Sequence, residues 1–388
     1  MSATPIQTGE EVAVARPRIM LRLDPLLLLG ALGLIACSLI TLRDAIHNTT
    51  LMDRQAIYAG LGLLVVLVLS RIDYSRLREY KFGLFGAMVA LNLVVYGMPP
   101  IAGARRWIPL PLMEFQSSEF GKLLVIVALA AFAVDRSRRL DERRTTARIM
   151  LLALIAAMLV IPQPDLGTGM VYVAIGFSVL FFAGTPWKQL TGLVVLFVAA
   201  LTFALAAAPA LGLHPLSHYQ EQRLVGFLNP SSDPQGATYN IHQSLIAIGS
   251  GQKTGRGVNA TQTTQGFLSA NDTDFVFAAV GETYGFVGAA VVLSLYALLI
   301  WRTLRILTMA KNLYGTLIAG GILSMLMFQV FINIGMTVGI MPITGVPLPL
   351  LSYGGSSVIV TFIAIGLLQS IYIQARIAST GKSRALLS

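Results

Sequence analysis

The sequence predicts an all-α polytopic membrane protein, with ten transmembrane helices and one large extracytoplasmic loop. Three observations predict it. Hydrophobic residues make up 55% of the chain and charged residues 12%, about half the charged share of a soluble domain. Apolar runs of spanning length recur at about 24–42, 55–70, 82–97, 118–134, 149–163, 168–184, 190–212, 275–300, 314–340 and 355–374. Several lie near the lower limit for crossing a hydrocarbon core of about 30 Å. The basic residues then fall on alternate connections. With the N-terminus cytoplasmic, 20 of the 28 Lys and Arg residues sit inside, 7 outside, and Lys122 within a span. Cytoplasmic loops of membrane proteins carry this excess of positive charge. It accounts for the net charge of +10 without a nucleic-acid partner.

The elements follow in order. Residues 1–20 are polar and then basic, read as a disordered cytoplasmic tail, and residues 21–375 form the membrane domain. The one cysteine, Cys37, lies in the first apolar run, so no intrachain disulfide can form. Before and into the fourth span comes "GARRWIPLPLMEFQSSEFGKLL" (103–124). Arg105 and Arg106 are adjacent guanidiniums on an outer loop, suited to bidentate phosphate binding or to anchoring the helix among headgroups. Trp107 is an interfacial anchor. Glu119 and Lys122 share a helix face at i, i+3, as a structural ion pair or as functional charges within the membrane.

Between the fifth and sixth spans, "IPQPDLGTG" (161–169) breaks the helix and carries Asp165. Irregular backbone at that depth is tolerated where it lines a cavity or packs in protein. Residues 213–273 form the large outer loop, too long for a mere connector. It carries Arg223, Lys253 and Arg256, candidate ligands for an anionic substrate, and a weakly amphipathic piece, "YNIHQSLIAIG" (239–249), expected on the outer membrane face.

The loop ends in "NDTDFVFAAVGETYG" (271–285). A helix cap explains one acidic or hydroxyl side chain there, but Asp272, Asp274 and Glu282 exceed that need. An acid inside a membrane faces a polar cavity or a cation. The pattern predicts a carboxylate-lined pocket open to the outside, with Asp274 at its mouth as a chemical base. Glu282 is expected to be structural, paired with a buried cation. After the ninth span, "NIGMTVGIMPITGVPLPLLSYGGSS" (333–357) holds too many prolines and glycines for a continuous helix and reads as a segment shaping the cavity, with Ser352 and Tyr353 in it. Residues 376–388 are expected as a second cytoplasmic tail.

Taken together these stretches resemble the SEDS family of shape, elongation, division and sporulation proteins. The resemblance rests on Arg105-Arg106-Trp107-Ile108, on Gln116 with Ser118-Glu119 and Lys122, and on Gln163 to Gly167. It rests further on Thr273-Asp274-Phe275 with Glu282 and Gly285, and on Pro347-Leu348-Pro349 with Ser352 to Ser356. Residues 333–357 are closer to the rod-shape branch than to the division branch. The resemblance implies a ten-helix fold in the bacterial cytoplasmic membrane and a peptidoglycan glycosyltransferase. Its substrate would be lipid II, a disaccharide-pentapeptide on undecaprenyl pyrophosphate, polymerised during elongation and shape maintenance. It maps the catalytic aspartate onto Asp274 and implies a class B penicillin-binding transpeptidase as partner. Two departures stand out. Many members carry Pro-Glu-x-His before the Thr-Asp pair, where this chain has Ser269-Ala270-Asn271-Asp272. The usual Gln-Pro-Ser-Glu is Gln116-Ser117-Ser118-Glu119. No cofactor is fixed by the sequence; the substrate-binding candidates Arg105, Arg106, Lys122, Arg223, Lys253 and Arg256, or a divalent cation such as Mg or Mn, would stabilise the pyrophosphate leaving group. The rival reading is a flippase for the same lipid, which forms no sugar bond.

Overall fold

The computed structural model describes residues 23–99, 105–110, 113–203 and 238–385. The tail at 1–20, the first part of the large loop and Arg223 lie outside the described residues. The chain is almost wholly helical: α1 Pro25–Ile40, α2 Thr49–Leu69, α3 Lys81–Val95, α4 Ser117–Asp135, α5 Arg143–Val160, α6 Leu166–Ala183, α7 Trp187–Thr202, α8 Tyr239–Gly251, α9 Val276–Met309, α10 Leu313–Thr337 and α11 Gly355–Ala385. Within the described residues each predicted apolar run overlaps one of these helices. Seven helices are long and apolar enough to cross a membrane: α1 extended to Ala45, α2, α4, α6, α9, α10 and α11. The helix α3 is short at 15 residues. In α5, Arg143, Arg144 and Arg148 open the helix, so its start precedes the apolar run that betrays it in sequence.

The helices begin and end where local chemistry directs. Asp24 caps α1, accepting from Leu27 N–H at 2.9 Å, with Pro25 at the first helical position, where no N–H is needed. Asn48 and Asn312 cap α2 and α10 in the same way. α4 is buried on nearly every side; a helix apolar all round belongs in the core of a bundle. By contrast α2 and α7 turn Leu61, Leu64, Val195 and Leu196 outward, as a face toward lipid requires. The segment expected as a C-terminal tail continues α11 as helix to Ala385.

The bundle has two ends. At one, Arg302 pairs with the buried Asp24 and Lys311 with Asp73, while Arg78 and Lys81 share Asp135. At the other lie the 41–49 turn, a small hairpin, the 161–165 break, the loop 252–275 and the irregular segment 338–354. The hairpin was not foreseen: β1 Trp107–Pro109 pairs antiparallel with β2 Glu114–Gln116, directly before α4. Neither strand is long enough to show an alternating pattern.

The described part of the large loop is ordered structure. α8 packs Ile241, Ser244 and Ala247 inward, and Ser244 donates to Thr337 O at 2.7 Å. The amphipathic piece is therefore a helix docked on α9 and α10, with Leu245 and Ile246 left exposed. α9 is itself broken at Gly285, whose φ of 63° and ψ of −157° leave the helical region. Glycine is needed there twice over: for the positive φ, and because a Cβ would lie 2.4 Å from Gly255 N.

Candidate active site

The site is built on the turn before α9. Ala270 adopts a left-handed φ of 54°, and its carbonyl accepts from Thr273 N–H at 3.2 Å and Phe275 N–H at 3.0 Å. Phe275 is buried with Leu268, Ala247 and Ala278, which drives the turn against the bundle. Three successive carbonyls are then held from outside. Asp272 O accepts from Tyr353 N–H at 2.8 Å, Thr273 O from Ser352 Oγ at 2.6 Å, and Asp274 O from Asn333 Nδ2 at 2.9 Å. The holders are themselves fixed. Asn333 also donates to Val346 O at 2.8 Å, and Ser352 Oγ accepts from Leu348 N–H at 2.9 Å. Gln55, fully buried in α2, donates to Ser352 O at 3.1 Å and Ser38 Oγ at 3.2 Å. The backbone at Asp274 is thus fixed by α2, α10 and the 338–354 segment, while Asp274 stays half-buried. Such support is what a reacting group requires. The N-cap position is Phe275, which makes no side-chain cap bond, so neither Asp272 nor Thr273 is the helix cap. Burial pushes the Asp272 carboxyl above the usual carboxylate range, against the lowering effect of backbone N–H groups at 272 and 273.

Glu282 corrects an expectation. It is fully buried, and among the described residues it pairs with no cation and lines neither of the hollows at this end. Its Oε1 accepts from Gln262 N–H at 2.9 Å, and its Oε2 from Thr263 N–H at 2.9 Å and Thr263 Oγ1 at 2.6 Å. The charge is taken up by amides and a hydroxyl at the start of the helical turn Thr261–Thr264, where the backbone dipoles favour an anion. Glu282 is a clasp for the loop. Asn271 fastens the same turn to the site by donating to Thr263 O at 3.0 Å.

The second cluster surrounds the start of α4. Lys122 Nζ lies 2.6 Å from Glu119 Oε1, the side chains 1% and 2% exposed. An ammonium so enclosed cannot reach a ligand from outside, so Lys122 is removed from the substrate-binding candidates. Asp165 caps α6 through Thr168 N–H at 3.1 Å and accepts from Ser118 Oγ at 3.1 Å and Gln116 Nε2 at 3.2 Å. The hairpin before α4 is tied to the start of α11, directly after the segment that holds the turn: Gln116 N–H donates to Ser356 Oγ, which donates to Glu114 O, each at 2.9 Å.

The remaining candidates divide. Arg105 is exposed and donates to Tyr96 O at 3.2 Å. Arg106 stacks 4.7 Å from the Trp107 ring, with its Nε buried and unpartnered among the described residues. Trp107 therefore also serves as a platform for the guanidinium. Lys253 and Arg256 are exposed on the loop beyond Glu282. Hydrogen bonds link the 271–275 turn to Ser352 and Tyr353, and Ser356 at the start of α11 links to the hairpin that follows Arg106; among the described residues the loop bearing Lys253 and Arg256 joins the turn through Glu282, Thr263 and Asn271. Among the described residues no three His, Cys, Asp or Glu side chains gather into a metal-holding group. Gln55 was missed in sequence, and its signal was a lone amide in an apolar run, which membrane packing obliges to find partners.

Comparison with known proteins agrees with this architecture. Residues 18–377 match the family model FTSW_RODA_SPOVE, described as "Cell cycle protein". The chain is 37% identical over 360 residues to the peptidoglycan glycosyltransferase MrdB of Escherichia coli K12, covering 92% of this chain and 95% of that one. It is 35% identical to the peptidoglycan glycosyltransferase RodA of Treponema pallidum, covering 82% and 88%. Among solved structures, a chain of a peptidoglycan synthase complex superposes with a TM-score of 0.77 at 33% identity, covering 91% of this chain and 98% of that one. The rod shape determining protein RodA of Thermus thermophilus gives 0.66 at 31%, covering 91% and 97%. The chain belongs to the FtsW/RodA/SpoVE family, the SEDS proteins.

Proposed function

We propose that this protein is a peptidoglycan glycosyltransferase that polymerises lipid II in cell-wall elongation, with Asp274 as general base. The observation that carries the reading is the three-carbonyl anchorage of residues 272–274, which fixes a half-buried carboxylate at one end of an apolar bundle. All ten spans cross the bacterial cytoplasmic membrane, both termini are cytoplasmic, and the site end is extracytoplasmic. The excess of Lys and Arg on the opposite connections supports this orientation.

In the reaction, Asp274 takes the proton from the 4-hydroxyl of one substrate's GlcNAc as that oxygen bonds to C1 of the other sugar. The C1–oxygen bond to the lipid pyrophosphate breaks, and its electron pair leaves with the phosphate as an anion. No acid is needed for that departure. Arg105 and Arg106 directly precede the hairpin, which is bonded to the start of α11, and guanidiniums suit a pyrophosphate. A class B penicillin-binding transpeptidase is the partner. The matched synthase complex, described as coordinating polymerization and crosslinking, supports that assignment.

Purified protein, with and without the transpeptidase, is incubated with labelled lipid II and the products resolved by size. Wild type yields glycan strands. Asp274→Asn yields fewer by about 10²–10⁴-fold, the usual cost of losing a general base, with an unchanged melting temperature. Transport across vesicles with no strands formed would instead establish the flippase reading.

A further inference from the structure

Two hollows meet on the site end, between α1 and α9, and neither is lined by Asp274. One, of about 420 Å³, is apolar, with Cys37, Ile40, Val280, Val287 and Val291 in its walls. The other, of about 540 Å³, is walled by Arg43, Asp44, His47, Gly257 and Thr283. Tyr284 lines both, so they form one amphipathic cleft. Each lies within the size range of small-molecule sites. The polar wall includes the loop that bears Lys253 and Arg256. Of the lining residues Arg43 and Asp44 carry charge, with Asp44 half-exposed and 3.6 Å from Arg43 Nε; Lys253 and Arg256 add positive charge on the adjoining loop.

Three local features favour a ligand here. Thr283 is 4% exposed, and its Oγ1 has no hydrogen-bond partner among the described residues. A buried hydroxyl left unbonded is costly, and a water or a bound group at the cleft would satisfy it. α1 ends in a π-helical turn, Thr41–Ala45, a feature frequent at functional sites. His47, which lines the polar hollow, holds a left-handed φ of 55°, a strained conformation of the kind that clusters at ligand sites.

We infer that this cleft holds a prenyl lipid ending in a diphosphate, its chain along the apolar hollow and its diphosphate at the mouth beside Arg43, Thr283 and the 252–258 loop. The identity of the lipid rests on the proposed reaction, whose leaving group is such an anion; the site itself rests on the cleft. The Glu282–Thr263–Asn271 chain ties the wall of this mouth to the Asp274 turn. A released carrier would therefore be held one loop away from the turn where the sugar bond forms.

The test uses full-length protein in detergent with farnesyl diphosphate as probe, followed by calorimetry. Val291→Trp fills the exposed apolar wall, Arg43→Ala removes a cation, and Thr283→Val removes the orphan hydroxyl at nearly constant shape. Each should weaken the probe, Arg43→Ala by about tenfold, as the loss of one charge-assisted hydrogen bond implies. Thr283→Val should weaken binding while leaving the melting temperature unchanged or higher. Inorganic pyrophosphate should respond to Arg43→Ala but not to Val291→Trp, and dioleoylphosphatidylglycerol should not displace the probe. Indifference of the probe to Val291→Trp, or displacement by the phospholipid at equal concentration, would overturn the assignment. Asp274→Asn should bind the probe as wild type does. If that variant polymerises normally while the probe still responds to the cleft variants, the base role fails and the cleft stands. If it is inactive while the probe ignores the cleft variants, the reverse holds.

Discussion

Two polar clusters sit at the same end of this bundle and are built in opposite ways. Around the start of α4, charged side chains satisfy one another: Lys122 pairs with Glu119, and Asp165 gathers Ser118, Gln116 and a helix-capping amide. Around the 271–275 turn, neighbouring elements hold the backbone carbonyls of residues 272–274, and Asp274 itself is half-buried. The difference separates architecture from chemistry. A carboxylate whose oxygens are consumed by buried partners holds helices together. A carboxylate whose main chain is held rigidly can meet a substrate in a fixed position.

The contrast can be broken most forcefully at Lys122. Lys122→Ala leaves Glu119 charged and buried, and should cost about 3–5 kcal/mol of stability. The double change Glu119→Gln with Lys122→Met should recover most of it, read by thermal melting in one detergent. A Lys122→Ala protein that melts like wild type would place Lys122 outside the architectural class. Glu282 belongs with that class too. Glu282→Ala strands two backbone N–H groups and Thr263 Oγ1, and should cost about 2–4 kcal/mol at roughly 1–3 kcal/mol per buried unsatisfied group with partial relaxation. Its first symptom should be faster hydrogen exchange across 252–264, ahead of any loss in the bundle.

Asn333 sharpens the comparison, because its side chain bonds the backbone carbonyl of Asp274. Asn333→Ala frees one buried and one part-buried carbonyl and should cost about 1–3 kcal/mol. It should lower kcat more than it raises KM, since the acid moves while the binding groups stay. The smallest effect is expected at Asp272. Burial raises its folded pKa above the unfolded value, so folding favours its protonated form. Its ionisation therefore erodes stability as pH rises from the unfolded pKa through the raised folded one. Asp272→Asn should match wild type in melting temperature at low pH and exceed it slightly at neutral pH. A gain confined to low pH would reverse the sign and refute the burial argument.

Much of this was legible in the sequence, for identifiable reasons. Helix positions follow from apolar runs, because lipid forces every spanning segment to be helical. The breaks at 161–165 and 338–354 announce themselves through proline and glycine. Asp274 stands out as an acid at the edge of a span. What escaped depends on partners distant in sequence. Nothing near Glu282 says that its oxygens belong to amides at 262 and 263. Gln55 reads as one polar residue in an apolar run until Ser352 is seen beside it. The burial of Lys122 could be suspected from the i, i+3 spacing, but its closure to ligands is a matter of how α4 is surrounded. The break at Gly285 is hidden because a single glycine in an apolar run is ordinary in membrane helices.

The most direct test of the central claim is the pH dependence of kcat/KM for lipid II polymerisation by the purified protein, compared with Asp274→Asn. The account predicts an acid limb in the wild type, where protonation of one carboxylate extinguishes activity. It predicts a flat, residual rate in the variant, whose fold and lipid II binding are unchanged. An acid limb that persists in Asp274→Asn, at a rate near that of wild type, would contradict it.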